Sequence, residues 1–178
     1  MSPQSRSDEL WDVIDAQGRP TGAVFRRGDP DWPEGKFHLV VATCVLRPDG
    51  LVLLTQRSER KEFPLTWEFP GGSATAGESS AEAAARELLE ETGLSIAARS
   101  LTFVGRFSEA SALVDLYLGA VSERPRLELD PFEVASADWV CADEARARLM
   151  SGAVASPWQA RLDVLWDPLA RWLATVSR

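Results

Sequence analysis

The sequence predicts an α+β domain, or a layered α/β/α one, and three observations carry that expectation. Short apolar runs rich in β-branched residues occur at 38–46, 51–56, 99–107, 113–121 and 136–140, the length and make-up of strands. Residues 79–92 instead repeat apolar side chains at helical spacing, with start and stop signals at the two ends. The chain of 178 residues is 45% hydrophobic and 26% charged. That is enough for one domain with its own core, and it excludes wholesale disorder. No segment recurs at a fixed period and no apolar run approaches 18 residues, which excludes a repeat array and a membrane-spanning helix.

Taken in order, residues 10–14 are a short apolar run ended by Asp15-Ala16-Gln17-Gly18, a strand and a turn. Residues 26–35 hold two glycines, two prolines and several charges, and read as a loop. The run 38–46 meets Arg47-Pro48-Asp49-Gly50 and returns as 51–56, which predicts a hairpin with at least one buried strand. Residues 66–69 read as a short strand stopped by Pro70-Gly71-Gly72. For the helix of 79–92, Ser79 with Glu82 three residues on fits a capping box, and Gly93 fits the position just past the end. Ala81, Ala84, Ala85 and Leu88 follow the spacing of its buried face.

Strands are expected at 99–107, 113–121 and 136–140, then a short helix at 142–150 followed by Gly152. Ser156-Pro157 opens another helix, which Asp167-Pro168 should break or restart before 169–176. Trp158, Trp166 and Trp172 fall at near-helical spacing and are expected in the core. Cys44 and Cys141 sit in apolar stretches and are expected as buried free thiols in a reducing cytoplasm. The polar stretch 1–9 lacks an apolar signal core, which also favours a cytoplasmic location.

Nineteen basic residues against 27 acidic ones leave a net charge of −8. Such a chain is a poor general binder of nucleic acid or anionic membrane, so a small-molecule partner is expected. The acids are not evenly spread. Glu78, Glu82, Glu87, Glu90 and Glu91 crowd one stretch with Arg86 as its basic residue. On a helix, Glu87, Glu90 and Glu91 fall within an arc of about 100°, expected roughly opposite the Ala81/Ala85/Leu88 face. Glu87 and Glu91 are i, i+4 neighbours near a C-terminal end, which disfavours a helix by a few tenths of a kcal/mol. A solvated acidic face is the simplest reading of a Glu-rich helix. Three carboxylates with no interleaved lysine, followed by glycine, point instead to a divalent cation such as Mg²⁺ or Mn²⁺. One histidine and two distant cysteines cannot build a zinc centre. Glu109, Asp115 and Glu133 are candidates for a further ligand or base.

The whole stretch reads Gly72-x5-Glu78-x7-Arg86-Glu87-Leu88-x-Glu90-Glu91-x-Gly93-Leu94, and over these 23 residues it resembles the Nudix box at every fixed position. Leu53-Leu54-Thr55-Gln56-Arg57 and Trp67-Glu68-Phe69-Pro70-Gly71-Gly72 resemble the usual approach to that box. Glu133-Val134 with Trp139-Val140 resembles the late strand, so the likeness covers about residues 37–150. It implies a Nudix hydrolase: an α/β/α sandwich with a mixed central sheet over 37–178, including a C-terminal helix, with residues 1–36 as an arm packed on it. It implies cleavage of a diphosphate linkage in a nucleoside diphosphate derivative or related organic diphosphate, with Mg²⁺ or Mn²⁺. Carried over by position, Glu87 and Glu91 would ligate the metal, Glu90 would be ligand or base, and the Gly72 carbonyl would add a ligand. Arg86 would orient the glutamates and Glu78 would brace the loop. Arg57, with Arg26 and Arg27 behind it, is a candidate for substrate phosphate. Trp32, Phe63, Trp67 and Phe107 are candidates for stacking on a base.

The stretch Glu9-Leu10-Trp11-Asp12-Val13-Ile14-Asp15, with Gly18 and Gly22, resembles the start of Nudix proteins near isopentenyl-diphosphate isomerase, and His38 falls where that enzyme carries a metal-binding histidine. Isomerase chemistry needs a protonating cysteine and several histidines, and Gly71 and Ser73 stand at two of those positions. Hydrolysis is therefore the expectation, with an isomerase-like enzyme and a nucleotide-sensing domain without turnover as alternatives. The complete box argues against the sensor.

Overall fold

A computed structural model of the chain describes residues 9–122, 124–151 and 156–176. Its architecture follows from β3 (His38–Leu46), whose side chains alternate between two buried faces. Val41 and Val45 point to one layer and Ala42, Cys44 and Leu46 to the other. Such two-sided burial explains the near-continuous apolar run. Along one edge β3 runs parallel to β8 (Ala112–Ala120), from His38 opposite Ala112 to Leu46 opposite Ala120. β8 in turn pairs antiparallel with β7 (Thr102–Ser108).

The other edge of β3 departs from the sequence expectation. The turn forms, with Arg47 N–H donating to the Leu51 carbonyl at 2.9 Å and Gly50 at φ 81°. The hairpin does not continue: β4 (Val52–Arg57) pairs with β3 only at Leu46 and Val52, and the strands then part. The predicted strand 66–69 and the residues that follow it fill the opening. Here β5 (Trp67–Glu68) pairs with β4, and β6 (Gly71–Ser73), which the glycines concealed, pairs with β3. The Thr43 N–H donates to the Pro70 carbonyl at 2.9 Å. The glycine at 71 has a steric reason, because a Cβ there would lie 2.0 Å from the Val41 carbonyl oxygen. The free edge of β4 takes β9 (Val134–Val140) antiparallel. The central sheet is therefore mixed, as expected.

Helix α1 (Ser80–Thr92) covers one face. Ser79 and Glu82 form the reciprocal capping box, and Gly93 closes the helix at φ 75° with its N–H on the Leu89 carbonyl. Ala83, Ala84, Leu88 and Thr92 are buried, whereas Ala81 and Ala85 are half-buried. The acidic arc is not opposite that face: Glu87 and Glu91 are themselves buried beside it. Apolar side chains of α1 pack over β3, β4 and β8, and its carboxylate flank turns over the opening between β3 and β4.

Helices α2 (Ala142–Met150) and α3 (Trp158–Val176) cover the other face. In α3, Trp158, Leu162, Leu165, Leu169 and Leu173 make one buried stripe. That stripe runs through Pro168, where a break was expected, so the apolar face holds the helix together across the missing N–H. Val164, whose carbonyl would have taken that bond, lies on the exposed side. Trp158 is buried and Trp166 packs partly buried on the core, but Trp172 is 41% exposed. Cys44 is buried as expected, whereas Cys141 is exposed ahead of α2, and both are free. A short 3₁₀ turn, Ala98–Ser100, takes the start of the strand expected from residue 99. Gly152 lies outside the described residues. No helix among the described residues is long and apolar enough to cross a membrane.

The N-terminal hairpin pairs β1 (Leu10–Ile14) with β2 (Pro20–Arg26). β2 was not expected; it is exposed along nearly its whole length and so lacks the alternation that marks a strand. Ile14 and Phe37 exchange backbone hydrogen bonds, tying the hairpin to the start of β3. Leu10 accepts from the Ala76 N–H and the Asp12 carboxylate from the Gly77 N–H, both at 2.7 Å. The hairpin thus grips the loop leading into α1. His38 stacks on Trp11 with ring centroids 4.1 Å apart, and its Nδ1 lies 2.8 Å from the Ser111 carbonyl, which makes Nδ1 the donor. Burial holds its pKa below the ordinary 6.5, with the Ser111 contact opposing.

Gly71→Ala forces β6 away from β3 and should cost about 3 kcal/mol or more, while Ser79→Ala should cost about 1 kcal/mol; urea unfolding midpoints check both. For His38 the unfolded chain takes up a proton near pH 6.5 that the folded protein resists, so the stability present above that pH is lost as pH falls through the lowered folded value. Melting curves between about pH 7.5 and 5.5 should show this loss in the wild type and less of it in His38→Gln.

Candidate functional site

Arg86 organises the start of the acidic helix. Its Nε donates to Glu78 at 2.7 Å and its Nη2 to Glu78 and the Ser73 carbonyl at 2.9 and 3.0 Å. Nη1 reaches Glu87 at 2.9 Å and Glu90 at 3.2 Å. Glu78 also accepts from the Thr75 N–H at 2.8 Å. Burial works against ionised Glu78, but Arg86 and Thr75 outweigh it and its pKa lies below the usual value. One guanidinium therefore links loop, strand β6 and helix, using the fork geometry that distinguishes Arg from Lys. Gly72 faces Glu87: a Cβ at 72 would fall 2.6 Å from its carboxyl carbon.

A second set of carboxylates surrounds a residue the sequence reading passed over, Lys61. Its Nζ lies 2.8 Å from Glu133, 3.1 Å from Glu91 and 3.7 Å from Glu68. Burial disfavours the ammonium, but the three carboxylates, Glu91 foremost, outweigh it despite Arg57, and its pKa is raised. Burial, with Glu68 and Glu87 adding to it, also raises the pKa of Glu91 against the pull of Lys61. The two tendencies disagree about where a proton belongs, and geometry decides for the ion pair. One Glu91 oxygen accepts from Lys61 and the other from the Gly71 N–H, each at 3.1 Å, so neither oxygen is suited to carry a proton.

These groups line one cleft of about 260 Å³ containing Glu87, Glu90, Glu91, Gly72, Arg57 and Lys61. Eight carboxylates and four cationic side chains line it, so a diphosphate entering alone meets a net negative wall. Arg57 reaches the cleft but is paired: Nη1 donates to both Glu68 oxygens at 3.0 and 2.8 Å and Nε to the Glu62 carbonyl at 2.7 Å. Arg27 lines the cleft paired with Glu9 at 3.1 Å, whereas Arg26 is exposed outside it. Of the distal acids, Glu133 joins Lys61, and Glu109 stands on another wall held by Arg161 at 2.7 Å. Asp115 is buried elsewhere, under Arg106 at 2.6 Å and the Ser80 hydroxyl at 2.5 Å. Among the aromatic candidates Phe63 lines the cleft, Trp32 packs with Trp11 and His38, and Trp67 and Phe107 pack on the core.

Lys61 and Glu68 carried usable signals. Lys61 is one of only two lysines in an arginine-rich chain, and Glu68 is a charge between Trp67 and Phe69 in a buried strand, where acids need partners. Among the described residues, no three acidic, histidine or cysteine side chains converge as they stand on a point where an ion would be held.

A NUDIX domain model matches residues 36–161. The chain belongs to the Nudix family. It is 34% identical over 176 residues to the isopentenyl-diphosphate Delta-isomerase of Nocardia farcinica, covering 90% of this chain and 95% of that one. It is 38% identical over 90 residues to an uncharacterized Nudix hydrolase of Listeria monocytogenes, a match over 49% of this chain and about half, 53%, of that relative's length. Among solved structures, DR0079 from Deinococcus radiodurans has the same fold, with a TM-score of 0.68 at 21% identity over 96% of this chain and 100% of that one. That likeness of fold spans nearly the whole chain.

If Arg86 is the hub this geometry makes it, Arg86→Ala leaves Glu78, Glu87 and Glu90 without their common cation. With its side chain 26% exposed, solvent screening brings the cost down to about 2 kcal/mol. A merely solvated helix face would lose under about 0.5 kcal/mol. Urea unfolding of the metal-free protein separates the two.

Proposed function

We propose that this Nudix chain is a hydrolase that uses a divalent cation, Mg²⁺ or Mn²⁺, to cleave the diphosphate linkage of a nucleoside diphosphate derivative or related organic diphosphate. The observation that carries this reading is the gathering of Glu87, Glu90 and Glu91 in one cleft under the control of Arg86 and Lys61. The donor set fits a hard cation, since its side chains are carboxylates throughout. Gly72 fits it as well, because it leaves the space beside Glu87 that any Cβ would fill. Bound there, such an ion neutralises phosphate oxygens and acidifies a water.

The residues divide the remaining work. Glu87 and Glu91 are the proposed ligands, with the Gly72 carbonyl, and their burial fixes them in place. Glu90 is more open, 34% exposed, with the longer contact to Arg86. It is the best placed to take a proton from attacking water. Glu78 acts through Arg86 and the Thr75 N–H and is a positioning residue. Arg57 would contact substrate phosphate by giving up part of its pairing with Glu68. In this reading the arm of residues 1–36 serves the domain of residues 37–178 by holding the 75–77 loop through Leu10 and Asp12. Two free cysteines are in keeping with a reducing cytoplasm.

The relative from Nocardia favours a second reading, isomerisation of isopentenyl diphosphate. The chain's own residues oppose it. Position 71 has no room for a side chain, position 73 is serine, and the single histidine, His38, is committed to Trp11 and Ser111.

The test is a panel of nucleoside and organic diphosphates, isopentenyl diphosphate included, incubated with Mg²⁺ or Mn²⁺ and scored by phosphate released and product mass. Hydrolysis should cease on chelation and return with metal. Glu87→Gln and Glu91→Gln should keep the fold and lose about 10²–10³ in kcat, with Glu78→Gln milder. Full turnover after exhaustive chelation, or dimethylallyl diphosphate as the product, overturns the reading.

A further inference from the structure

We propose that Lys61 is a tethered counter-ion that occupies the cation position of the acidic cleft and is displaced when a divalent metal binds. This rests on the metal-dependent reading above and adds to it a residue outside the box.

Three carboxylates from three separate segments close on one ammonium. Glu68 comes from β5, Glu91 from the last turn of α1 and Glu133 from the residue before β9. All are sheltered: the side chains of Lys61, Glu68, Glu91 and Glu133 are 15, 10, 2 and 7% exposed. Two of the contacts, at 2.8 and 3.1 Å, are as close as a bound ion pair allows. The ammonium lies among carboxylates of the acidic cleft, in contact with Glu91, one of the proposed ligands. A divalent ion on the oxygens of Glu91 would sit a few ångströms from a like charge in a sheltered cleft, where screening is weak. Both cannot stay.

Lysine suits such a role. Its compact charge sits on a flexible four-carbon stem and can withdraw without refolding its surroundings, whereas a forked guanidinium such as Arg86 is bound by several bonds at once. Without metal, Lys61 keeps buried carboxylates together that would otherwise repel one another. With metal, it is a competitor. Removing it should therefore move two quantities in opposite directions: the metal-free protein becomes less stable and the metal binds more tightly.

The full chain carries the test. Mn²⁺ affinity is measured by the electron paramagnetic resonance of the free ion in the wild type, Lys61→Met and the charge-retaining Lys61→Arg. Expected are about tenfold tighter binding in Lys61→Met, no tightening in Lys61→Arg, whose forked guanidinium yields less readily than the ammonium, and a larger metal-induced rise in melting temperature for Lys61→Met from a lower metal-free starting point. Equal or weaker binding in Lys61→Met overturns the inference. A wild type that binds no Mn²⁺ overturns the metal reading beneath it. Should Lys61→Met fail to fold, the wild type decides by itself. Because the chain has only Lys36 and Lys61, ¹³Cε-labelled lysine gives two side-chain signals, assigned with Lys36→Arg. Saturating Mg²⁺ should shift the Lys61 signal to that of a mobile, solvated lysine, and a signal unchanged by Mg²⁺ overturns the proposal.

Discussion

The parting of β3 and β4 after a single residue pair is the constraint on which the rest of the molecule depends. A continuous hairpin would place two apolar strands side by side and leave no opening in the sheet. Because they separate, β5 pairs with one strand and β6 with the other, and the chain between them runs through the opening. Gly71 and Gly72 permit this for different reasons. The first lies against the Val41 backbone, and the second leaves space for the Glu87 carboxylate. Helix α1 then has hydrocarbon to bury on one flank and an opening in the sheet beneath the other.

That arrangement creates a charge problem, and two cations handle it differently. Arg86 spans Glu78, Glu87 and Glu90 with several bonds and joins them to the Ser73 carbonyl. It behaves as scaffolding, since breaking one bond leaves the others. Lys61 meets Glu68, Glu91 and Glu133 through a single ammonium. Burial makes Glu91 expensive to ionise, so the carboxylates need a cation nearby at all times. In the metal-free protein Lys61 is that cation for Glu68, Glu91 and Glu133.

Much of this was legible in the chain, and what was hidden has physical causes. The box helix could be read because its caps are local chemistry: Ser79, Glu82 and Gly93 act on their own neighbours. The burial of Glu87 and Glu91 could not, because helical periodicity places residues on a face without saying what that face meets. β6 was hidden because glycines carry no strand signal, and β2 because an exposed hairpin has no buried face to alternate against. The continuity of α3 through Pro168 is a tertiary effect of the leucine stripe. Of the cleft, the spacing of Glu78, Arg86, Glu87, Glu90 and Glu91 disclosed one wall, and Glu133 was a candidate on chain position. Lys61 and Glu68 are near neighbours on the β4–β5 connection and β5, and it is their meeting with the distant Glu91 and Glu133 that spacing does not encode.

The parallel pairing of β3 with β8 also bears on how the chain reaches this state. His38 bonds Ser111, 73 positions further on, and the whole acidic helix lies between them. At the ribosome, the middle of the sheet cannot close until β8 has emerged. Until then β3 can pair with β4 and β6 along one edge, and its other edge stays open. Non-local closure of this kind is slow and leaves sticky edges open in the meantime. Vectorial synthesis therefore leaves that edge exposed for a time, whereas the N-terminal hairpin, whose two strands pair locally, needs no later segment to complete its own ladder.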